Sequence, residues 1–195
     1  MARRIAIIQG HPDPDGGHFC NALAEAYRDG AEAAGHAVDI VETSRLDLPY
    51  LRNMAEWEAP PEDEGVLGMQ RIVGAADHLV IIYPLWLGDM PAVLKSALEH
   101  LSRGGFVLSV DEGGHWRAGL RGKSARVVVT MGMPSLVYRL FFLSHSLKSL
   151  ERNILKFAGV KPVRTTLMGQ VEGEARATRR EGWLAQMRRL GRDAA

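Results

Sequence analysis

The chain alternates between short apolar blocks and longer stretches in which apolar residues recur every three or four positions. The blocks are rich in Val and Ile, which is typical of strands in a parallel sheet that is covered on both faces. They predict strands at residues 5–8, 37–42, 79–83, 126–130 and 163–167. The helical spacing predicts helices near residues 18–34, 62–76, 91–101, 136–158 and 174–190. Two long surface loops are expected, at residues 56–64 and 103–122.

Five strands that alternate with helices predict a doubly wound α/β fold. The flavodoxin-like strand order 2-1-3-4-5 is complete with five parallel strands, and it places helices on both faces of the sheet. No repeat or interdomain linker interrupts the pattern, so we expect residues 1–195 to form a single domain. In this strand order, ligands bind where the first and third strands end.

Composition narrows the class of protein. The formal net charge of +1 leaves no basic surface of the kind that binds nucleic acid or an anionic membrane. The single cysteine, Cys20, excludes an internal disulfide and fits a reducing compartment. No apolar run reaches the roughly 18 residues that a membrane-spanning helix needs, and the N-terminal segment lacks the apolar core of a signal peptide. We therefore expect a cytoplasmic protein without a membrane span.

The exit of the first strand carries the first candidate binding feature. The loop is rich in Gly, Pro and Asp, and a helical pattern follows it at once. Free N–H groups at such a helix N-terminus favour an anion. His11 and His18 could be metal ligands, but no Cys or carboxylate completes a set with a recognisable spacing, so no metal site is expected. Asp13 and Asp15 could instead form an aspartyl-phosphate pair, but the neighbouring prolines favour a turn.

Two more loops lie on the same predicted edge. The loop after the third strand, residues 84–90, is apolar and contains Trp86, which suits a flat heteroaromatic ring. The alternative is that Trp86 packs into the core. The fourth strand ends at Thr130-Met131-Gly132-Met133, where the glycine permits close approach of a ligand or simply forms a turn.

These loops carry a family resemblance. The segments that match are Gly10-His11-Pro12 with Phe19, the stretch from Gln70 to Asp77, and Tyr83-Pro84-Leu85 through Pro91-Ala92-Val93-Leu94-Lys95. Together they resemble the flavodoxin-like NAD(P)H:quinone oxidoreductases, which include the DT-diaphorase type and short bacterial members. The resemblance implies that FAD, or alternatively FMN, binds at the three loops. It also implies that the flavin takes hydride from NAD(P)H and passes two electrons to a quinone.

The resemblance further implies roles for individual residues. The cofactor phosphates are expected near His11, His18, Phe19 and Cys20. Gln70 is expected near the ribityl or nucleotide end of the cofactor. The flavin ring is expected to lie against Pro84, Leu85, Trp86, Leu87 and Gly88, with Thr130, Met131, Gly132, Met133 and Tyr138 at its other side. The first loop is two residues longer than in the family, and the family's Thr-Thr-Gly-Gly run is replaced by Thr-Met-Gly-Met.

Tyr138 and His145 are the expected catalytic residues. Tyr138 matches a family tyrosine, and His145 matches its histidine partner if one residue is inserted between them. A hydroxyl and an imidazole can stabilise negative charge on a reduced ring and take up a proton. The alternative is that both residues merely belong to an apolar helix together with Phe141, Phe142 and Leu143.

The sequence therefore predicts a homodimeric flavoenzyme that uses NAD(P)H to reduce a quinone-like acceptor. Because the family's active site lies at the dimer interface, residues 106–116 and 136–143 are candidate contacts. One alternative is a flavodoxin-type electron carrier, although such carriers have a Thr/Ser-rich phosphate loop and an acidic surface. A second alternative is an ancillary subunit of a potassium-efflux system, a role that some family members have.

Overall fold

The protein is described by a computed structural model that covers residues 1–173 and 177–195. The strands in these residues are β1 (Arg4–Gln9), β2 (Ala37–Glu42), β3 (His78–Pro84), β4 (Leu108–Val110), β5 (Trp116–Ala118), β6 (Ser124–Met131) and β7 (Val163–Gly169). Five of them form one parallel sheet in the order β2-β1-β3-β6-β7. The predicted flavodoxin-like order 2-1-3-4-5 is therefore confirmed.

Helices cover both faces of this sheet. They are α1 (Phe19–Ala33), α2 (Met54–Glu58), α3 (Glu64–Ala75), α4 (Ala92–Ser102), α5 (Ser135–Leu140), α6 (His145–Lys148) and α7 (Ala177–Arg192), with a π-helical segment at Ser149–Lys156. The predicted start of the last helix at Glu174 lies outside the described residues. Among the residues that are described, no helix is both long enough and apolar enough to cross a membrane.

Side chains alternate between the two faces along each buried strand. In β1, Ile5 and Ile7 pack in the cluster that contains α1 and α7, while Ala6 and Ile8 pack in the cluster that contains α3 and α4. All four are at most 1% exposed. Both faces of the strand are apolar because both are covered, which explains why the strands are continuous apolar blocks in the sequence.

The helix predicted at residues 136–158 is broken into three pieces, so this prediction is wrong in detail. Helix α5 ends at Leu140, and α6 begins only at His145. Between them Leu143 and Ser144 have φ angles of +52° and +50°, a left-handed conformation that a continuous helix does not allow. The Ser144 N–H donates to the carbonyl of Tyr138 at 3.1 Å, which closes the turn.

The two predicted long loops contain regular structure. Strands β4 and β5 form an antiparallel hairpin within residues 103–122. The Asp111 carboxylate accepts N–H bonds from Gly113 and His115 at 3.0 and 2.9 Å, which orders the hairpin turn. The other segment, residues 56–64, contains only the end of α2, which starts at Met54 after its N-cap Asn53, and the first residue of α3; the Asn53 side chain accepts the N–H of Glu56 at 2.9 Å.

Helices α1 and α7 contact each other through two glycines. A Cβ at Gly30 would lie 2.0 Å from the carbonyl oxygen of Arg188, and a Cβ at Gly191 would lie 2.0 Å from the carbonyl oxygen of Tyr27. A Cβ atom cannot lie 2.0 Å from a carbonyl oxygen, so neither glycine can be replaced by a larger residue unless the helices move apart. The small residues therefore set the separation between α7 and the C-terminal half of α1.

We predict that Gly191→Ala destabilises the fold, because the added methyl group forces α7 away from α1. The expected loss is about 1–3 kcal/mol of unfolding free energy, the usual cost of overpacking. Gly182→Ala in the same helix is the matched control, because nothing lies within 4 Å of its Cβ position. That variant should be more stable by up to about 1 kcal/mol. Equal unfolding midpoints in urea for the two variants would contradict this packing.

Candidate functional site

Three loops meet at the carboxyl edge of the central strands. The Gly10 N–H donates to the carbonyl of Ile82 at 2.8 Å, which joins the first loop to β3. The Leu85 N–H donates to the carbonyl of Thr130 at 2.7 Å, which joins the loop after β3 to β6. The predicted meeting of these loops is observed, and it follows from the parallel register of β1, β3 and β6.

The first loop is organised around two histidines and a carboxylate. The rings of His11 and His18 stack with their centroids 3.8 Å apart and their planes inclined by 16°. His18 Nε2 lies 2.7 Å from Asp13 Oδ2, and His11 Nδ1 accepts the N–H of Asp13 at 3.2 Å. Asp13 therefore contacts both rings, through its backbone on one side and its carboxylate on the other.

These contacts assign protonation states in the loop. Burial lowers the pKa of His11, and the neighbouring His18 lowers it further, so His11 is neutral at neutral pH. Because His11 Nδ1 is an acceptor, its proton is on Nε2, which can donate to a ligand. The N–H of Asp15 lowers the pKa of Asp13, and the hydrogen bond from His18 adds to that effect, so Asp13 is ionised.

The N-terminus of α1 is open to an anion. Its first residue follows His18, which has an extended backbone and makes no side-chain capping bond, and the first turn contains no acidic residue. The preceding Gly16 and Gly17 have φ angles of +75°, and nothing lies within 4 Å of their Cβ positions. Unpaired N–H groups beside an open glycine turn are a suitable cradle for phosphate oxygens.

The loop after β3 forms a tight turn with an apolar outer face. Trp86 and Asp89 exchange N–H···O bonds of 2.8 and 2.9 Å. The two residues between them, Leu87 and Gly88, have φ angles of +49° and +82°. Leu87 is fully exposed and Trp86 is half-exposed. This exposure favours the prediction that Trp86 belongs to a binding surface over the alternative that it packs into the core.

An open cleft of about 430 Å³ lies beside this turn, with Trp86, Pro91 and Lys95 in its lining. The edge of Trp86 also approaches His11, with ring centroids 6.0 Å apart at 76°. The turn therefore connects an apolar wall to the first loop. Pro84 and Leu85 lie at its base, where they are half-buried.

The loop after β6 completes this edge. Thr130 and Met131 are buried, and Met133 is half-buried. A Cβ at Gly132 would lie 3.0 Å from Oε1 of Glu172, so a side chain there would displace this carboxylate. Gly132 is exposed, so this loop can be approached from solvent at the glycine.

Cys20 does not present its side chain to the loop. It is 2% exposed, and its Sγ lies 3.4 Å from Oγ1 of Thr130. Burial raises the pKa of this thiol to about 11, so it remains protonated. The expectation that Cys20 flanks the phosphates holds at most for its backbone N–H, because α1 turns the side chain toward β6. Phe19 is half-buried and packs against the same core.

Gln70 does not line these three loops, and its expected place near the ribityl or nucleotide end of the cofactor stays a prediction. Its Nε2 donates to the carbonyls of Leu101 and Arg103, each at 3.1 Å, at the end of α4. Helix α4 begins beside the site at Ala92, and 11 residues of helix carry its end about 15 Å away. Gln70 therefore fastens α3 to the far end of α4.

The expected pairing of Tyr138 with His145 is corrected. Tyr138 is 1% exposed, and its hydroxyl lies 2.7 Å from Oγ of Ser146 and accepts the N–H of Leu147 at 3.2 Å. His145 is exposed at the start of α6. Within residues 1–173 and 177–195 no hydrogen bond joins Tyr138 to His145, and the Tyr138 hydroxyl instead stabilises the start of α6 through Ser146 and Leu147.

Two site residues were not predicted from the sequence. Asp13 was interpreted as a turn former, although its carboxylate also binds His18. Gln9 is 2% exposed, its Oε1 accepts the His11 N–H at 3.2 Å, and its Nε2 is buried with no hydrogen-bond partner in residues 1–173 and 177–195. A polar residue at the end of an otherwise apolar strand is the signal that could have indicated Gln9.

The site's donor set fits a flavin nucleotide. Its phosphate end can meet the α1 N-terminus and His11 Nε2, and its ring can meet the exposed Trp86 and Leu87. The orphaned donor at Gln9 shows that polar groups at this edge lack partners within the described chain. Among those residues, no group of three His, Cys, Asp or Glu side chains could hold a metal ion.

The chain belongs to the family described as having a flavodoxin-like fold, whose pattern it matches over residues 3–190. It is 28% identical over 155 residues to a ribosyldihydronicotinamide dehydrogenase-like protein, traD, from Penicillium crustosum, a match that covers 66% of this chain and 57% of that protein. The chain spans only about half the length of the curated relatives that it matches.

Solved structures share the whole fold. An NAD(P)H:quinone oxidoreductase from Methanothermobacter marburgensis is 25% identical and superposes with a TM-score of 0.83 over 100% of both chains. An FMN-dependent NADH-azoreductase from Bacillus anthracis, solved with FMN, superposes with a TM-score of 0.74 over 98% of both chains. It is 15% identical, so this second likeness shows the fold alone.

We predict that Leu87 is strained in its turn. A residue with a Cβ costs roughly 1–2 kcal/mol in the left-handed region. Glycine removes this cost but loses more conformational entropy on folding, so Leu87→Gly should stabilise the fold by about 0.5–1 kcal/mol. Leu87→Ala is the matched control, because it removes the exposed side chain but keeps the strained Cβ. It should leave the unfolding midpoint unchanged, and a gain as large as that of the glycine variant would contradict the strain.

Proposed function

We propose that this protein is a flavin-dependent NAD(P)H oxidoreductase that reduces a quinone or a similar acceptor. The observation that carries the proposal is the convergence of three loops: an uncapped helix N-terminus beside a neutral histidine, an exposed apolar turn, and an open glycine. A phosphate cradle next to an apolar wall matches a ligand with an anionic end and a flat ring.

The cofactor that we propose is FAD, with FMN as the alternative. When bound, a flavin accepts hydride from NAD(P)H and passes two electrons to the acceptor. His11 Nε2 and the first N–H groups of α1 hold its phosphate end, with His18 beside them. Trp86 and Leu87 would hold the ring and exclude water from it, and the cleft lined by Pro91 would admit the second substrate.

The names of the relatives support the activity. The solved structure that matches over its whole length at 25% identity is an NAD(P)H:quinone oxidoreductase. The Penicillium relative is named for a dehydrogenase of a dihydronicotinamide riboside. Both names describe electron transfer from a reduced nicotinamide, which is the first half of the reaction proposed for this chain.

Fewer residues are candidates for proton transfer than the sequence indicated. We propose no direct role for Tyr138, because its hydroxyl is buried and already bonded to Ser146 and Leu147. His145 remains a candidate proton donor, since its side chain is exposed.

We predict that the purified protein binds FAD or FMN and then oxidises NADH or NADPH when a simple quinone is present. Trp86→Ala should weaken flavin binding by about tenfold, because it removes an aromatic contact of roughly 1–1.5 kcal/mol. The matched control is Trp57→Ala, which removes a partly exposed tryptophan on α2. Flavin fluorescence titrations measure both affinities. If neither flavin binds, or if the two variants lose affinity equally, the proposed site is wrong.

We further propose that the protein is a homodimer whose contact includes residues 136–143. This stretch exposes six large apolar side chains, those of Leu136, Val137, Leu140, Phe141, Phe142 and Leu143. Phe141 alone is 78% exposed, and its ring packs edge-on against Phe142 at a centroid distance of 5.0 Å. An exposed cluster of this kind is typical of a protein–protein contact.

We predict that Phe141→Asp converts the dimer to a monomer. A carboxylate in an apolar contact costs about 2–3 kcal/mol, which corresponds to roughly a hundredfold weaker association. The matched control is Tyr50→Asp, which replaces an aromatic residue that is 79% exposed outside this stretch. Light scattering coupled to size-exclusion chromatography reports the mass. A wild-type monomer at micromolar concentration would contradict the dimer.

A further inference from the structure

A cavity of about 150 Å³ lies at the amino edge of the parallel sheet, opposite to the edge where the three loops meet. Its lining includes Arg3 before β1, His78 at the start of β3, Ser124 at the start of β6 and Arg164 in β7. None of the residues assigned to the flavin is in this lining. The cavity is therefore separate from the site that we propose for the cofactor.

The strand register explains why polar side chains meet at this cavity. His78 of β3 is opposite Ser124 of β6, and Arg126 of β6 is opposite Arg164 of β7. Since Ser124 and Arg126 are two positions apart, all four side chains lie on the same face of the sheet. Val80, which is opposite Arg126, packs in the cluster that contains α1 and α7. The cavity thus opens on the face that these two helices cover.

His78 is the most deeply buried polar residue of the lining, and one of its ring nitrogens is unused. The residue is 2% exposed, and its Nδ1 lies 2.7 Å from Oγ of Ser124. Its Nε2 is buried and has no hydrogen-bond partner within residues 1–173 and 177–195. When the Ser124 hydroxyl donates to Nδ1, the ring proton is on Nε2, which is then an unpaired donor. A hydrogen-bond acceptor in the cavity would remove the cost of burying that donor.

Two exposed arginines line the same cavity. In the described part of the chain, neither Arg3 nor Arg164 belongs to an ion pair. Nη1 of Arg3 donates to the carbonyl of Ala194 at 3.3 Å, which holds the guanidinium at the cavity. Asp193 also lines the cavity and supplies one opposing charge. Two cationic side chains therefore share the lining with one carboxylate side chain.

A third arginine adds positive charge but is already bonded. Arg126 is 7% exposed, and its guanidinium donates to Oγ1 of Thr166 at 2.8 Å and to the carbonyl of Ala195. Burial, together with the charges of the three arginines, lowers the pKa of His78 to about 4, so its ring is neutral. The positive charges that keep a proton off His78 favour an anion in the cavity beside it.

We propose that this cavity binds a small oxyanion, either inorganic phosphate or a small carboxylate. Its oxygens accept hydrogen bonds from the guanidinium groups of Arg3 and Arg164 and from Nε2–H of His78. A cavity of about 150 Å³ can hold a molecule of the size of benzene, so the space suits a small ion and not a flavin nucleotide. The inference does not rest on the proposed function, because it concerns the opposite edge of the sheet.

Chemical shifts in a ¹⁵N-labelled sample of the whole chain test this site. Sodium phosphate is titrated at neutral pH, and sodium chloride at equal ionic strength is the ligand control. We expect saturable shifts in the millimolar range for the amides of Ser124, Ala125 and Arg164, with a parallel change at the ring Nε2 of His78. The ring of His100, which is buried beside α4 outside the cavity, should not respond.

Sodium acetate is the second probe, and it distinguishes the two classes of oxyanion. Tighter binding of phosphate would identify a phosphate site, and tighter binding of acetate would identify a carboxylate site. Either order supports the inference, because both ligands present the same kind of acceptor to the arginines. Failure of both probes to shift the cavity amides in a saturable way would overturn it.

Two charge variants at the cavity should change the affinity in opposite directions. Arg164→Gln should weaken binding about fivefold, and Asp193→Asn should strengthen it about threefold, as expected for partly exposed charges. The matched control is Arg52→Gln, which removes an exposed arginine next to α2 and outside the lining. This variant should bind as the wild-type protein does.

Equal weakening by Arg164→Gln and Arg52→Gln would overturn the inference, because it would show only an effect of net charge. Weakening by Asp193→Asn would overturn it as well. Phosphate shifts confined to Gly17 and Phe19 would place the anion at the N-terminus of α1, which contradicts the cavity site but agrees with the proposed flavin site. The two proposals can therefore fail independently.

Discussion

The pairing of β3 with β6 at their carboxyl ends is the constraint on which the candidate site depends. Pro84 lies opposite Thr130 in the register, and the Leu85 N–H bonds to the Thr130 carbonyl. The Thr130 side chain also meets Cys20 of α1. One residue therefore holds the apolar turn and the start of α1 against the same strand end. A change in register of one residue would separate the two parts of the site.

Much of this arrangement could be predicted from the sequence, because it follows from local patterns. Buried parallel strands are apolar on both faces, so the five strands are visible as Val- and Ile-rich blocks. Their order and the carboxyl-edge location of the site follow from general rules for doubly wound sheets. The glycines of the first loop and Pro91 at the start of α4 then mark where each strand gives way to a helix.

The parts that could not be predicted depend on contacts distant in sequence or on unusual backbone angles. Leu143 and Ser144 adopt positive φ, and neither residue type signals this, so an apolar helix was expected to continue through them. Tyr138 was assigned to the cleft because its partners, Ser146 and Leu147, become visible only once that break exists. The hydrogen bonds of Gln70 could not be predicted for a similar reason, since its amide donates to backbone carbonyls more than 30 positions away.

The central claim is that a flavin nucleotide lies across the carboxyl edge, with its phosphate at α1 and its ring at the turn after β3. Amide chemical shifts in a ¹⁵N-labelled sample, measured before and after FMN or FAD is added, test this location directly. The account predicts the largest changes at Gly17, Phe19 and Gly88, and little change at Ser124 and Arg164 on the opposite edge of the sheet. Changes concentrated on that opposite edge, or none at the N-terminus of α1, would contradict it.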